Sequence, residues 1–318
     1  MRIILFLLVC SIGFSESNHL ILSKIVTRPT ESEMIVISNP TNETIDLSDY
    51  YLTDAVRTSN NSYYYNLPTG EDYWSGLATD FIGRFPNGFT INPNDSIFIG
   101  MHTQEMFNAN YGFDADLNLF EDFRNAIGDS VSISFGEAFS SQNILGDSQE
   151  MLMLFYWDGI STTVKDVDYF LWGGNSNAVD KTGIGDYFDD TSVDNQIYVA
   201  SANEGQIYER IDFVEYGEIE TDGNGITGHD ETSENLEMSW QLVSALGCTD
   251  IHATNYNPLA THEDGSCITL ILGCTDSAAF NYDQSANTDD GSRISVVEGC
   301  TDPLAFNYNP VANLESNP

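Results

Sequence analysis

A four-residue word, Gly-Cys-Thr-Asp, occurs three times near the C-terminus, and its copies start 26 residues apart, at Gly247, Gly273 and Gly299. Each copy is followed at a fixed offset by Asn-Tyr and then by an alanine, so residues 247–318 form three 26-residue repeats, the last incomplete. The repeats are rich in Cys, Asn, Asp and Gly and hold few large apolar side chains. Such units cannot bury a core, and we expect loop-rich modules held by a covalent bond or an ion.

The cysteines offer the covalent bond. Cys248 and Cys267 enclose the first repeat, and a disulfide between them would stabilise this unit by roughly 3 kcal/mol through loop closure. Arg293 occupies the equivalent position in the second repeat, and the sequence ends one residue short of it in the third. Three options stay open for Cys274 and Cys300: a bond to each other, free thiols, or partners beyond the last residue given.

Calcium is the candidate ion. The first two repeats end in acidic turns closed by Gly265 and Gly291, and Ca²⁺ takes carboxylate, amide and backbone oxygens. The predicted ligands are Asn255, Asn257, Asp264, Asn281, Asp283, Asp289 and Asp290. The alternative is that these residues serve only as turn formers, which Asn, Asp and Gly commonly do.

The repeats resemble the Gly-Cys-Thr-Asp units of secreted proteins of marine bacteria and, more loosely, thrombospondin type 3 calcium repeats. The matching words are Gly-Cys-Thr-Asp, Asn-Tyr-Asn-Pro and the acidic-Gly-Ser-Cys turn of residues 263–267. The resemblance covers residues 247–318 and implies an extracellular, calcium-linked stalk or spacer.

The charge of the chain agrees with this setting. Its 318 residues carry 49 acidic and 10 basic side chains, a formal net charge of -39. Such a chain has no clustered Lys and Arg with which to bind nucleic acid. The self-repulsion of so many carboxylates indicates a saline habitat or bound cations.

The N-terminus has the pattern of a secretory signal. Arg2 precedes an apolar run at residues 3–9, and small residues follow, so residues 1–17 are assigned to a signal peptide cleaved after Ser15 or Ser17. No later segment reaches the roughly 20 apolar residues of a membrane span. Cys10 raises a lipoprotein alternative, but Val9 stands where a small residue is required. The sequence therefore predicts a secreted or cell-surface protein.

Between signal and repeats lie many short β-patterned segments with Gly, Pro and Asn turns and little helical periodicity. Strands are predicted at residues 20–26, 34–37, 45–52, 63–67, 96–101, 131–135, 151–157, 164–172, 197–200 and 211–216. This pattern predicts an all-β fold, an antiparallel β-sandwich followed by the loop-rich repeats.

Residues 18–174 resemble the lamin tail domain, with insertions near 57–83 and 104–148. The matching segments are 21–25 with Pro29, 33–41, 45–52, 85–88, 91–93, 152–154, 157–159, 167–169 and 172–173. This resemblance implies an immunoglobulin-like sandwich. Residues 175–246 would then form an acidic extension of strands and loops.

No catalytic motif stands out in the chain. The five histidines are scattered, and only His229-Asp230-Glu231 places a base beside carboxylates. Both this segment and the Asp222-Gly223-Asn224-Gly225 turn, which could wrap a cation, are expected to be solvated loops on an acidic protein.

Aromatic residues are candidates for a binding surface, although core packing is the default expectation for each of them because neighbouring side chains alternate along a strand. Tyr63-Tyr64-Tyr65 and Tyr73-Trp74 present ring faces of the kind that stack on sugars or anchor partner proteins, and Tyr73 and Trp74, in an insertion, are the best candidates for exposure. Two functions follow as hypotheses. The first is a secreted, non-enzymatic binding or scaffold protein for an extracellular polymer or surface protein. The second is a calcium-dependent extracellular hydrolase with its site in the acidic loops.

Overall fold

The computed structural model describes residues 17–57, 61–74, 80–128, 134–135, 143–257, 260, 262–263 and 265–316. The signal peptide predicted at the N-terminus lies outside the described residues except for Ser17. The chain divides into two compact units. The sandwich unit contains the described residues up to Leu246 together with Ala260, and the repeat unit contains 247–257 and the described residues from His262 onward.

The regular structure of the sandwich unit is mostly antiparallel β-sheet with little helix, which confirms the all-β prediction. They are β1 (Ile21–Val26), β2 (Met34–Ser38), β3 (Ile45–Asp46), β4 (Tyr50–Thr53), β5 (Val56–Arg57), β6 (Ser62–Tyr63), β7 (Phe81–Arg84), β8 (Thr90–Ile91), β9 (Ser96–Gly100), β10 (Leu117–Asn118), β11 (Ser134–Phe135), β12 (Glu150–Tyr156), β13 (Lys165–Trp172), β14 (Gln206–Arg210) and β15 (Trp240–Ser244). The helices are α1 (Gln104–Tyr111), α2 (Leu236–Ser239) and 3-10 turns at Thr30–Ser32, Tyr64–Thr69, Val193–Asn195 and Glu231–Ser233.

Two sheets make the sandwich. One has the strand order β10-β9-β2-β1-β14-β15, antiparallel except for the β9–β10 pair, and the other has the antiparallel order β11-β7-β4-β12-β13. Strands β14 and β15 come from residues 175–246. The boundary predicted at residue 174 therefore separates β14 and β15 from the other strands of the first sheet, and the strands of the acidic segment are part of the sandwich.

The core lies between the sheets. Ile35 and Ile37 of β2 face inward because side chains alternate along a strand, and they belong to one buried cluster with residues of the second sheet. Phe170 of β13 packs 4.2 Å from the Trp240 ring and 5.1 Å from that of Tyr208, so aromatic contacts join the two sheets. Each such buried side chain contributes about 1.5–3 kcal/mol.

Helix α1 covers the outer face of the first sheet. Phe107 and Tyr111, four residues apart on one helical face, pack on Val26, Met34 and Val36. Thr103 Oγ1 accepts the amide of Met106 at the N-terminus of the helix. The sequence did not predict this helix, because two turns are too short to show a helical period.

Because of a bulge in β13, Asp166 and Asp168 lie on opposite faces of the second sheet. Leu154 pairs with Asp168 and the next residue, Phe155, pairs with Asp166, so Val167 has no direct partner. The extra residue reverses the alternation of side chains. Asp166 therefore faces the outer loops, and Asp168 faces the first sheet.

The repeat unit contains short ladders. They pair β16 (Leu246–Gly247) with β17 (His262–Glu263), β18 (Leu272–Gly273) with β19 (Thr288–Asp289), and β20 (Glu298–Gly299) with β21 (Leu314–Glu315). An isolated β-bridge pairs the cysteine of each Gly-Cys-Thr-Asp word with the tyrosine eight residues later, as in Cys274 with Tyr282. This pattern is the loop-rich arrangement expected from the composition.

Candidate functional site

The predicted disulfide is present. Cys248 and Cys267 are bonded, with their Cα atoms 4.6 Å apart, so the first repeat is closed covalently. Cys274, which is buried, and Cys300 are free thiols. In the second repeat the Nε of Arg293 donates to the carboxylate of Asp276. This pair is exposed, so solvent screens it and it stabilises the repeat far less than a disulfide would.

Two of the predicted calcium ligands bond to the backbone of their own repeat. The Asn281 side chain donates to Ser292 O at 2.8 Å and accepts from Ile294 N at 2.7 Å, and Asn255 makes the equivalent bonds with Ser266 and Ile268. Both asparagines thus have a structural role that their residue type serves well, since an amide can donate and accept at once.

The predicted aspartates lie in exposed turns. Asp283 accepts hydrogen bonds from Ser285, and Asp290 accepts one from Ser292, which hold the pKa of each carboxyl below its ordinary value. Asp289 accepts a longer bond from Gly291 N at 3.4 Å. Asn257 donates its backbone amide to the Cys248 carbonyl, and Asp264 lies outside the described residues. Calcium binding by the repeats stays a prediction.

The sandwich unit has a pocket of about 460 Å³ beside a pair of tyrosines. Its lining includes Tyr63, Tyr65, Asn175, Ser176, Asp180 and Thr182, and we call it the aromatic pocket. The rings of Tyr63 and Tyr65 stack with centroids 5.0 Å apart and planes 6° apart. Tyr65 is held by its hydroxyl, which donates to Asp180 O at 3.1 Å. The pocket thus combines a fixed ring with polar side chains.

The aromatic pair predicted for exposure is only partly accessible. Tyr73 and Trp74 are half-buried and pack against the main core. The indole of Trp74 donates to Asp80 O at 3.1 Å. Neither residue lines the aromatic pocket, which the neighbouring Tyr63 and Tyr65 form instead.

The outer face of the second sheet carries a buried ionic cluster centred on Lys181. Its ammonium lies 2.6 Å from Asp166 Oδ2 and 3.1 Å from Asp190 Oδ2, and Tyr64 OH donates to Asp166 at 2.7 Å. Asn224 donates to the other oxygen of Asp190 at 2.7 Å. Although burial opposes its charge, the two aspartates raise the pKa of Lys181, whereas burial raises the pKa of Asp190 to about 6.

A second ionic cluster lies between the sheets. The guanidinium of Arg210 bonds Glu234 at 2.7 and 3.1 Å and Asp168 at 3.1 and 3.3 Å, and its Nε donates to Leu22 O at 3.1 Å. The same guanidinium lies 5.2 Å from the centre of the Trp240 ring. Because each of its three nitrogens donates to an acceptor, Arg210 ties β14 to β13, to β1 and to the segment before β15.

The expectation of solvated acidic loops is wrong for several residues. Asp230 and Glu231 are 5% and 3% exposed, and Asp190 is also buried. The turn at residues 222–225 packs on the backbone that precedes Asp230. A Cβ added at Gly223 would lie 2.0 Å from the His229 carbonyl oxygen, so only glycine fits there. Local composition could not reveal this burial, because it depends on contacts with distant strands.

Comparisons with known proteins add little to this description. No family model and no curated protein matches the chain. One solved structure that resembles it is a DUF4876 family protein from Bacteroides thetaiotaomicron, with 14% identity, 70% of each chain covered and a TM-score of 0.36. The resemblances to lamin tail domains and calcium repeats stay predictions.

Among the described residues, no helix is both long and apolar enough to cross a membrane.

Proposed function

We propose that this chain is a secreted, non-enzymatic binding protein. Its sandwich unit would dock on an extracellular polysaccharide through the aromatic pocket, and its repeats would act as a calcium-linked spacer. The observation that carries the proposal is the half-buried ring of Tyr63, backed by the buried ring of Tyr65, beside Asn175, Asp180 and Thr182. Sugar rings pack on aromatic faces, and their hydroxyls need a few polar partners in a largely preformed pocket.

The charge of the chain narrows the class of polymer. A net charge of -39 repels acidic polysaccharides, so a neutral polymer is the better candidate. The buried carboxylates Asp166, Asp168, Asp190 and Glu234 face Lys181 or Arg210, which supports a structural use of these acids rather than catalysis.

A binding screen tests this proposal. The mature protein would be incubated with neutral and acidic polysaccharides in the presence of calcium, and retention and released reducing ends would be measured together. We expect retention on a neutral polymer without turnover. Turnover that is abolished by substitution of an acidic-loop residue would instead favour the hydrolase hypothesis.

Replacing Tyr63 with alanine should weaken binding to the retained polymer about 10-fold. The expected loss comes from one ring contact, worth about 1 kcal/mol or more, and 1.4 kcal/mol corresponds to a factor of ten in affinity. Affinity would be measured by calorimetry or affinity electrophoresis. Tyr73→Ala is the matched control, because Tyr73 lies outside the pocket but is also half-buried. A larger loss of affinity for Tyr73→Ala would mean that the binding surface lies at Tyr73 and Trp74, as the sequence predicts.

Calcium removal should loosen the second repeat more than the first. The first is closed by Cys248–Cys267, whereas the second has only the exposed Arg293–Asp276 pair in place of this bond. Binding should be weak, with a Kd on the order of 10⁻⁴ to 10⁻³ M, as in other extracellular modules. Hydrogen exchange with and without chelator measures the effect. Equal protection of the two repeats in chelator would mean that Asn and Asp are turn formers only.

A further inference from the structure

A third group of ionisable side chains in the sandwich unit lies beside the Arg210 cluster, but its members are not among the carboxylates that Lys181 or Arg210 bonds directly. One donor atom each from His19, Glu215 and Glu231 lies within 4.8 Å of the other two. His19 precedes β1, Glu215 follows β14, and Glu231 begins a 3-10 turn, so three distant segments supply the group. The side chain of Glu215 is 6% exposed, and His19 and Glu231 are 5% and 3% exposed.

One carboxylate oxygen of each glutamate in this group lacks a partner, whereas Oε2 of Glu215 accepts from Ser17 Oγ at 2.9 Å. The Oε1 atoms of Glu215 and Glu231 are buried and make no hydrogen bond, and the same holds for Oε1 of the neighbouring Glu218. Gly225 leaves room for the Glu231 carboxylate, since a Cβ there would lie 2.5 Å from Glu231 Oε1. A buried carboxylate oxygen without a donor or a cation costs several kcal/mol, so this arrangement calls for a positive partner.

His19 has the orientation of a metal-binding histidine. Its Nδ1 lies 2.9 Å from the Leu20 carbonyl oxygen, an acceptor, so Nδ1 carries a hydrogen in that bond. The other nitrogen, Nε2, lies 3.1 Å from Glu215 Oε2 and 3.2 Å from Ser17 Oγ. Histidines that bind metals commonly donate one ring N–H to a backbone carbonyl and turn the other nitrogen to the ion.

We propose that His19, Glu215 and Glu231 bind a divalent transition metal such as Zn²⁺ or Mn²⁺. Ligands about 2.0–2.2 Å from an ion are roughly 3–4.4 Å from each other, which fits the spacing of these donors after small side-chain adjustments. The imidazole favours a transition metal, because Ca²⁺ takes oxygen ligands.

The site differs from the other buried histidine–glutamate pair of the sandwich. His102 Nε2 also lies 3.1 Å from a glutamate oxygen, that of Glu33. The Glu33 carboxylate, however, accepts the backbone amides of Ile144 and Leu145 as well. The two pairs share a 3.1 Å contact between Nε2 and a glutamate oxygen but differ in how the rest of the carboxylate is satisfied, which makes His102 a control for the loss of a buried histidine.

Metal uptake by the mature protein tests the proposal. All variants would carry Cys274→Ser and Cys300→Ser, to remove free thiols, and all samples would contain millimolar Ca²⁺ to fill oxygen-only sites. After chelator treatment, Zn²⁺ or Mn²⁺ would be titrated and followed by calorimetry and elemental analysis. We expect one equivalent to bind in this background and in His102→Gln.

His19→Gln and Glu231→Gln should each weaken that binding about 100-fold, since even the loss of an outer-shell partner costs 10- to 100-fold. Glu231→Gln keeps the shape of the side chain without its charge, so it separates loss of the ligand from loss of folding. No uptake of either metal by the background protein, or undiminished uptake by His19→Gln, would overturn the proposal.

Discussion

Lys181→Met is expected to lower the unfolding free energy of the sandwich unit by about 3–5 kcal/mol. The side chain of Lys181 is fully buried, and its ammonium lies between Asp166 and Asp190, which are themselves 1–2% exposed. Methionine removes the charge with little change in volume and leaves two buried carboxylates without their cation. Breaking a buried ion pair from one side costs far more than the pair contributes when it is intact.

Tryptophan fluorescence during denaturation measures this loss, because all four tryptophans lie before residue 246 and report on the sandwich unit alone. Lys24→Met is the control. Lys24 also forms an ion pair, at 2.9 Å with Glu209, but those side chains are 14% and 36% exposed, so its loss should cost at most about 1 kcal/mol. Equal effects of the two substitutions would contradict the structural role given to the Lys181 cluster.

Glu33→Ala should destabilise the sandwich unit by a similar amount, about 3–5 kcal/mol. Glu33 is 1% exposed, and its carboxylate accepts the amides of Ile144 and Leu145 and lies 3.1 Å from His102 Nε2. Alanine leaves these buried groups without an acceptor, and each orphaned donor costs about 1–3 kcal/mol.

The same fluorescence measurement tests this prediction against Glu31→Ala. Glu31 lies two residues away but is exposed, so its replacement should change the unfolding free energy by no more than about 0.5 kcal/mol. A small effect of Glu33→Ala would mean that water or another side chain takes over the amides of residues 144 and 145.

The sequence predicts the strands that have strong apolar alternation. β1, β2, β9, β12 and β13 lie where the pattern placed them, because their buried faces are rich in Ile, Leu, Phe and Met. β14 was missed. Its sequence, Gln-Ile-Tyr-Glu-Arg, has one aliphatic residue, so the alternation pattern favours the more apolar segment at 211–216 instead. Residues 64–69 form a 3-10 turn rather than a strand, with Pro68 inside it.

The ionic clusters could not be predicted from local sequence. Tyr64 and Asp166, which bond each other, are 102 residues apart, and Arg210 bonds Leu22 across 188 residues. The bulge at Val167 also places Asp166 and Asp168 on opposite faces of the sheet. Strict alternation would put these two residues on the same face. One signal was available: with only 10 basic residues against 49 acidic ones, any lysine or arginine beside acidic loops is a candidate counter-ion.

The disulfide was predictable because the three repeats can be aligned with one another. Comparison of the three repeats shows which cysteine has a partner within its own unit and where Arg293 replaces one. The aromatic pocket was predictable only in part. The sequence singles out the tyrosine triplet. It does not show that Asn175 and Thr182, in the loop after β13, lie beside Tyr63, because they are more than a hundred residues away in the chain.

The most direct test of the proposed function is hydrogen exchange of the full mature chain with and without a saturating neutral polysaccharide. We expect protection to increase at residues 62–67 and 175–184, which contain the lining of the aromatic pocket, while the exchange of the repeats at 247–316 is unchanged. Protection confined to the repeats, or absent from both segments of the pocket while the polymer is bound, would contradict the proposed function.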